Sequence, residues 1–197
     1  MIAEETICYL LDEIALNNCE KAYKKLFIEM HEGLHDFAYS ITKSYEDAEE
    51  VVSDFFIAIW QRRASLKTIE NPRLYFFTGV KNTALNKLTQ KRKQSTPPVN
   101  EWNTRLTSVF FNPEELMLSA EVVKGIMQAI NDLPPKCKII FKLVKEDGLK
   151  YAEVANLLDL SVKTIEAQMA IALRRIRSHS EFKNQFPELH LLLSKKK

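Results

Sequence analysis

The chain has 197 residues, 46% of them apolar and 27% charged, and a formal net charge of +2. That length suits one domain or two of about a hundred residues each. No apolar run approaches the roughly 20 residues of a membrane span, and the acidic opening MIAEETICYL lacks the basic start of a secretory signal, which predicts a cytoplasmic protein.

Low glycine (4) and abundant Leu, Ala, Glu, Lys and Ile predict an all-α fold. The three cysteines, Cys8, Cys19 and Cys137, are scattered without a C-x-x-C and read as reduced, partly buried thiols. The small net charge conceals a segregation. Residues 1–60 hold four basic and thirteen acidic side chains, a net of −9, whereas residues 61–94 hold nine basic and one acidic, a net of +8. Residues 95–118 stand at −2 and residues 119–197 at +5. The basic blocks suit nucleic acid and the acidic block a basic protein surface. For any one block alone, a solvated helix face is the plainer alternative.

In chain order, Ile7, Leu10, Leu11 and Ile14 mark a first amphipathic helix over residues 5–16, broken at Asn17-Asn18. A second helix runs from about Glu20 to Ile41, with Ala22, Leu26, Phe27, Met30, Leu34, Phe37, Ala38 and Ile41 on its core face. Ser44 is a candidate N-cap for YEDAEEVVSDFFIAIWQRR, which begins acidic and ends basic, the order the helix dipole favours. Asn71-Pro72 sets a turn and a new helix start. From Arg73 to about Lys91, Leu74, Phe77, Val80, Ala84 and Leu88 form the apolar face, while Arg73, Lys81, Lys87, Lys91, Arg92 and Lys93 supply charge. The neighbouring Tyr75, Phe76 and Phe77 and the amides of Asn82 and Asn86 suit a partly single-stranded nucleic acid, although core packing is the stronger reading for Phe77.

Residues 94–113 (QSTPPVNEWNTRLTSVFFNP) have no clear period and hold a proline pair, so they read as an extended linker. A second domain follows. Glu114 to Ile130 reads as helix, Leu133-Pro134-Pro135 breaks it, and Lys136 to Lys145 is a short helix. Tyr151 to Leu158 is then a short helix with Ala155 inward, Asp159-Leu160 a tight turn, and Ser161 the N-cap of a helix buried through Ile165, Met169, Leu173 and Ile176. A small residue, a short turn and a β-branched residue are what two closely crossing helices need, and the pattern is a helix-turn-helix. The second helix exposes Lys163, Thr164, Glu166, Ala167, Gln168, Ala170, Ile171 and Arg174, with Arg175 beside them. Those near its N-terminus face base edges, and its basic residues face phosphates.

These parts resemble the sigma-70 superfamily of bacterial transcription initiation factors, and most closely the extracytoplasmic function (ECF) sigma factors. The resemblance rests on DAEEVVSDFFIAIW, NPRLYFFTGVKNTALNKL, INDLPPKCKIIFKL and GLKYAEVANLLDLSVKTIEAQMAIALRRIR, four pieces in order over nearly the whole chain. It implies two small helical domains joined by an extended linker: a domain 2 bundle over residues 1–93, the linker at 94–113, and a domain 4 helix-turn-helix over 114–197. It implies that Asp47, Glu50, Asp54, Phe55, Phe56 and Trp60 bind the polymerase clamp. Lys67, Asn71, Arg73, Lys81, Asn82 and Asn86 would recognise and melt the −10 element, and the second helix of the helix-turn-helix would read the −35 element. Core RNA polymerase, promoter DNA and an anti-sigma factor are the implied partners, with no cofactor, metal or small-molecule substrate. Glu50-Val51-Val52-Ser53 departs from the family's usual Asp-x-x-Gln, and Asp159 stands where the turn usually has Gly.

One stretch points elsewhere. His31 to His35 reads HEGLH, which matches the H-E-x-x-H zinc-protease pattern. The extended pattern would need Gly at 38 and His at 41, where the chain has Ala38 and Ile41. A downstream Glu (Glu46, Glu49 or Glu50) is the remaining third ligand, yet these already belong to the acidic helix. The match is read as chance and the chain as no enzyme, with both histidines on the partly exposed surface of a core helix. A stand-alone helix-turn-helix regulator is the other alternative, and it leaves the acidic helix and the basic block at residues 61–94 unexplained. The apolar tail, Phe182 to Leu193 ending in KKK, is expected to pack on the second domain or to meet the anti-sigma factor.

Overall fold

A computed structural model describes residues 2–94 and 120–178. Most of the predicted linker, the predicted helical turn before Ala120 and the apolar tail lie outside these residues. Among the described residues there are α-helices and one 3-10 segment, and no strand. None of the helices is long and apolar enough to cross a membrane.

The first four helices are α1 (Glu4–Asn17), α2 (Glu20–Thr42), α3 (Tyr45–Gln61) and α4 (Pro72–Gln94). Their ends follow local chemistry. Asn18 and Lys43 take the left-handed conformation after α1 and α2, at φ 49° and 61°, a conformation that ends the helix. The Ser44 hydroxyl accepts the Asp47 amide at 3.2 Å, as an N-cap does. Asn71 does the same at the start of α4, its side-chain oxygen accepting the Leu74 amide at 3.1 Å. The 3-10 segment Arg63–Thr68 links α3 to α4.

The core of this bundle takes Ile7, Leu10 and Ile14 from α1, Leu26, Leu34 and Phe37 from α2, Val52, Phe55 and Phe56 from α3, and Phe76, Phe77 and Val80 from α4. Its centre is aromatic. Phe55 meets Phe76 edge-on at 5.4 Å between centroids, and Phe37 meets Phe77 at 5.4 Å. Helix α4 comes very close to α3 at Gly79, where a Cβ would overlap the Phe55 ring. Phe76 is fully buried, a core residue that the period read from Leu74 and Phe77 did not include.

The second set comprises α5 (Ala120–Asn131), α6 (Pro135–Lys145), α7 (Tyr151–Leu158) and α8 (Val162–Ser178). Pro135 opens α6, where its missing N–H costs nothing. Ile165, Met169, Ala172 and Ile176 of α8 are buried against α6 and α7, with Leu173 only partly so. Asp159 is left-handed at φ 55°, so the turn keeps its shape without glycine. The Ser161 hydroxyl then accepts the Thr164 amide at 3.1 Å and caps α8.

Candidate nucleic-acid interface

Three surfaces carry the predicted residues. The first is α3. Glu50 and Asp54 are exposed, and Ile57, 53% exposed, follows them on the same stripe with Gln61. Ile57 was missed because an isoleucine in an apolar run reads as core. Its position three residues after Asp54 is the signal that places it outside. Asp47 is buried and already paired: Lys91 lies 2.6 Å from its carboxylate and Lys87 3.8 Å, while Lys87 also bonds Glu50. Phe55 and Phe56 lie in the core, 7% and 1% exposed, and present no surface in this arrangement. Trp60 is half-buried between Tyr23, at 4.9 Å, and the Arg63 guanidinium, at 4.8 Å.

The second surface is α4 with the segment before it. Lys67, Asn82 and Asn86 are exposed and Tyr75 is partly so. Asn71, Arg73 and Lys81 are not free. The Asn71 amide donates to Glu153 at 2.7 Å, and the Lys81 ammonium lies 2.5 Å from Asp159. Arg73 was read as charge on the helix surface, but it is 7% exposed. Its fork donates to the carbonyls of Asp147, at 2.7 Å, and Ile2, at 2.6 Å. A guanidinium can be buried when carbonyl oxygens satisfy it in this way.

The third surface is the helix-turn-helix. Lys163, Glu166, Ala167, Ala170, Arg174 and Arg175 are exposed, while Thr164, Gln168 and Ile171 are half-buried at the edges of the stripe. From Lys163 to Arg174 the stripe rises about 16 Å, enough for several base pairs of a major groove. Cys137 lies behind it. Its thiol donates to the Gln168 carbonyl at 3.3 Å, and burial pushes its pKa up, against the Arg175 charge.

The HEGLH histidines face Glu49. Nε2 of His31 is 3.2 Å from one Glu49 oxygen and Nε2 of His35 is 3.9 Å from the other. His35 was expected on a partly exposed surface. It is instead buried, 8% exposed, with the Tyr45 ring at 4.5 Å. Among the described residues no group of three His, Cys, Asp or Glu side chains is placed to hold a metal ion.

Comparison with known proteins finds two family models in series. "Sigma-70 region 2" matches residues 26–94 and "Sigma-70, region 4" matches residues 124–176, together well over half of the chain. The chain is similar to the "ECF RNA polymerase sigma-E factor" of Escherichia coli (strain K12), 24% identical over 172 residues that cover 81% of this chain and 89% of that protein. It is 27% identical over 137 residues to the protein of that name from Haemophilus influenzae, covering 64% and 70% of the two chains. Among solved structures it is similar to the sigma factor RpoE in complex with the anti-sigma factor NepR from Bartonella quintana, at 20% identity and a TM-score of 0.49, covering 83% of this chain and 99% of that one.

Proposed function

We propose that this chain, which belongs to the sigma-70 family, works as an ECF sigma factor: it binds core RNA polymerase and directs promoter-specific transcription initiation. The observation that carries this reading is the order of the surfaces. An acidic and apolar stripe on α3, a basic α4 and an exposed helix-turn-helix follow one another in the order of the two matched regions. A stand-alone duplex-DNA regulator would need only the third of them.

In this reading, residues 1–93 serve core binding and the −10 element, residues 94–113 connect, and residues 114–197 read the −35 element. Glu50, Asp54, Ile57 and Trp60 are the groups that meet the polymerase, the two carboxylates supplying charge and Ile57 the apolar anchor. Asp47, Phe55 and Phe56 hold α3 in place from behind. Lys67, Lys81, Asn82 and Asn86 face the melted strand, and Tyr75 is the aromatic surface for a base. Unstacking that base costs a few kcal/mol, which pocket contacts offset.

On α8, Lys163, Glu166, Ala167 and Ala170 lie nearest the base edges, and Arg174 and Arg175 meet phosphates. Glu166 repels phosphate and accepts a hydrogen bond from cytosine N4, so it favours a C·G pair at its position. The chain acts as a specificity subunit in the cytoplasm, with no reaction of its own. An anti-sigma factor covering the same surfaces is its expected regulator, and a free chain that is always active in cells would count against that.

The experiment is transcription in vitro with core polymerase over a genomic fragment library, with and without a zinc chelator. Discrete start sites unaffected by the chelator are expected. Retained duplex binding with no polymerase binding and no starts would refute the reading in favour of a stand-alone regulator.

A further inference from the structure

We propose that the outward face of α2 is a self-complementary docking surface for a second copy of this chain, and that the free protein pairs through it with two α2 helices antiparallel about Ile28. The inference does not depend on the function proposed above.

Lys21, Lys24, Lys25, Ile28, Glu29 and Glu32 of α2 are all exposed. At 100° per residue, the three lysines and Glu32 lie within about 60° of Ile28 around the helix axis, with Glu29 at the edge of the stripe and Glu20 nearly a quarter-turn off it. Ile28 is 63% exposed in the middle of the stripe, and the sign of the charge changes there, from basic before it to acidic after it. Residues 1–60 hold only four basic side chains, and three of them are gathered on this stretch. None of the three has an ion pair with a described residue. Lys21, in the first turn, also opposes the helix dipole, so the order of charges does not serve the helix by itself.

A two-fold axis turns this order into complementarity. It reverses one α2 against the other, so position 28 meets itself and each position before it meets one equally far after it. Ile28 then packs on Ile28 of the other copy. Lys25 comes opposite the flank that carries Glu29 and Glu32. On the other flank Lys24 comes opposite His31, where Glu49 of α3 lies 3.2 Å from the imidazole with its side chain 44% exposed. Lys21 arrives near His35, which the Tyr45 ring covers at 4.5 Å, Tyr45 itself being 62% exposed. Every contact is made twice. A parallel pairing would set lysine on lysine and glutamate on glutamate, so charge selects the antiparallel one. The stripe from Lys21 to Glu32 is about 16 Å long, which makes a small interface and therefore a weak, salt-sensitive one.

The test is sedimentation velocity of the full-length protein over a wide concentration range, at low and at high salt. Three variants accompany wild type: Ile28→Asp, Lys25→Glu and Glu29→Lys. All three positions are exposed, and far-UV circular dichroism and the urea midpoint check that each variant folds as wild type does. Lys25→Glu and Glu29→Lys chains are run separately and as an equal mixture.

The expected result is a monomer–dimer equilibrium for wild type at low salt that shifts to monomer at high salt. Ile28→Asp is expected to weaken it about tenfold or more. Each charge reversal alone sets like charges against each other twice and weakens pairing. The mixture restores it, because every like-charge contact becomes an opposite one. The proposal is overturned if wild type stays monomeric at the highest concentration and low salt, or if dimers survive all three substitutions. It is also overturned if the mixture pairs no better than its components. Binding to core polymerase is measured on the same samples. A monomeric wild type whose polymerase binding is lost with Ile28→Asp would give this face to the polymerase and overturn the pairing.

Discussion

The close approach of α4 to α3 at Gly79 allows a sharp test of what positions the acidic stripe. At Gly79 an added methyl would lie 2.8 Å from both Cδ2 and Cζ of Phe55 and closer still to the atom between them. Phe55 cannot swing away, because Phe56 sits at 6.0 Å, Phe76 at 5.4 Å and Tyr75 at 6.3 Å around it. Overpacking of a well-filled core costs about 1–3 kcal/mol, and overlap with three ring atoms puts Gly79→Ala at the upper end. The helix gains about 1 kcal/mol when Ala replaces Gly. The net expectation is a destabilisation of about 2 kcal/mol, read as a lower urea midpoint at unchanged slope. Phe55→Leu makes room for the methyl, so its cost and that of Gly79→Ala should not add. The double variant is expected to be more stable than the sum of the singles by about 1 kcal/mol or more. A Gly79→Ala protein more stable than wild type, or strictly additive singles, would refute the packing argument.

Other predictions address the surfaces and the second helical set. Ile57→Glu and Asp54→Lys are expected to weaken core-polymerase binding at least tenfold with little change in the urea midpoint, because both side chains are exposed; unchanged binding would remove the stripe from the interface. Arg174→Ala is expected to lower the slope of log affinity against log salt for duplex DNA by about 1, and an unchanged slope would mean no phosphate contact there. Ser161→Ala removes the cap of α8 and is expected to cost about 1 kcal/mol, measured by urea unfolding. Glu146 and Asp147 are raised to about 7, in each case first by burial. The folded chain therefore binds protons that the unfolded chain has released. Their contribution is fully present below the ordinary carboxylate range and is lost as pH rises to about 7. Glu146→Gln should flatten that part of the stability profile between about pH 4.5 and 7, and an unchanged profile would show that Glu146 does not titrate there.

By itself the sequence determined the elements and their order. Helix periodicity, caps and breakers act within about four residues, so α1 to α4, the Ser44 and Ser161 caps, the Asp159 turn and the buried Ile165–Met169–Ile176 face were all legible. The segregation of charge was legible too, since it needs only counting. Which of those charges would be free was not. Lys142 finds Asp36 106 residues away and Asn71 finds Glu153 82 residues away, and nothing local to either residue points to the other. The same holds for Arg73, which is basic in composition but drawn inward by two carbonyls, and for His35, whose burial depends on Tyr45 arriving from the next helix. Phe76 was left open between core and surface, and Ile57 was given no side; the structure buries the first and exposes the second. Both faces of the aromatic run in α4 are apolar, and packing against Phe55 of α3 and Phe37 of α2 put Phe76 and Phe77 inside. Local chemistry determined where the chain turns, and tertiary packing decided which side chains remain free to act, because burial and pairing are properties of two surfaces and a sequence presents one at a time.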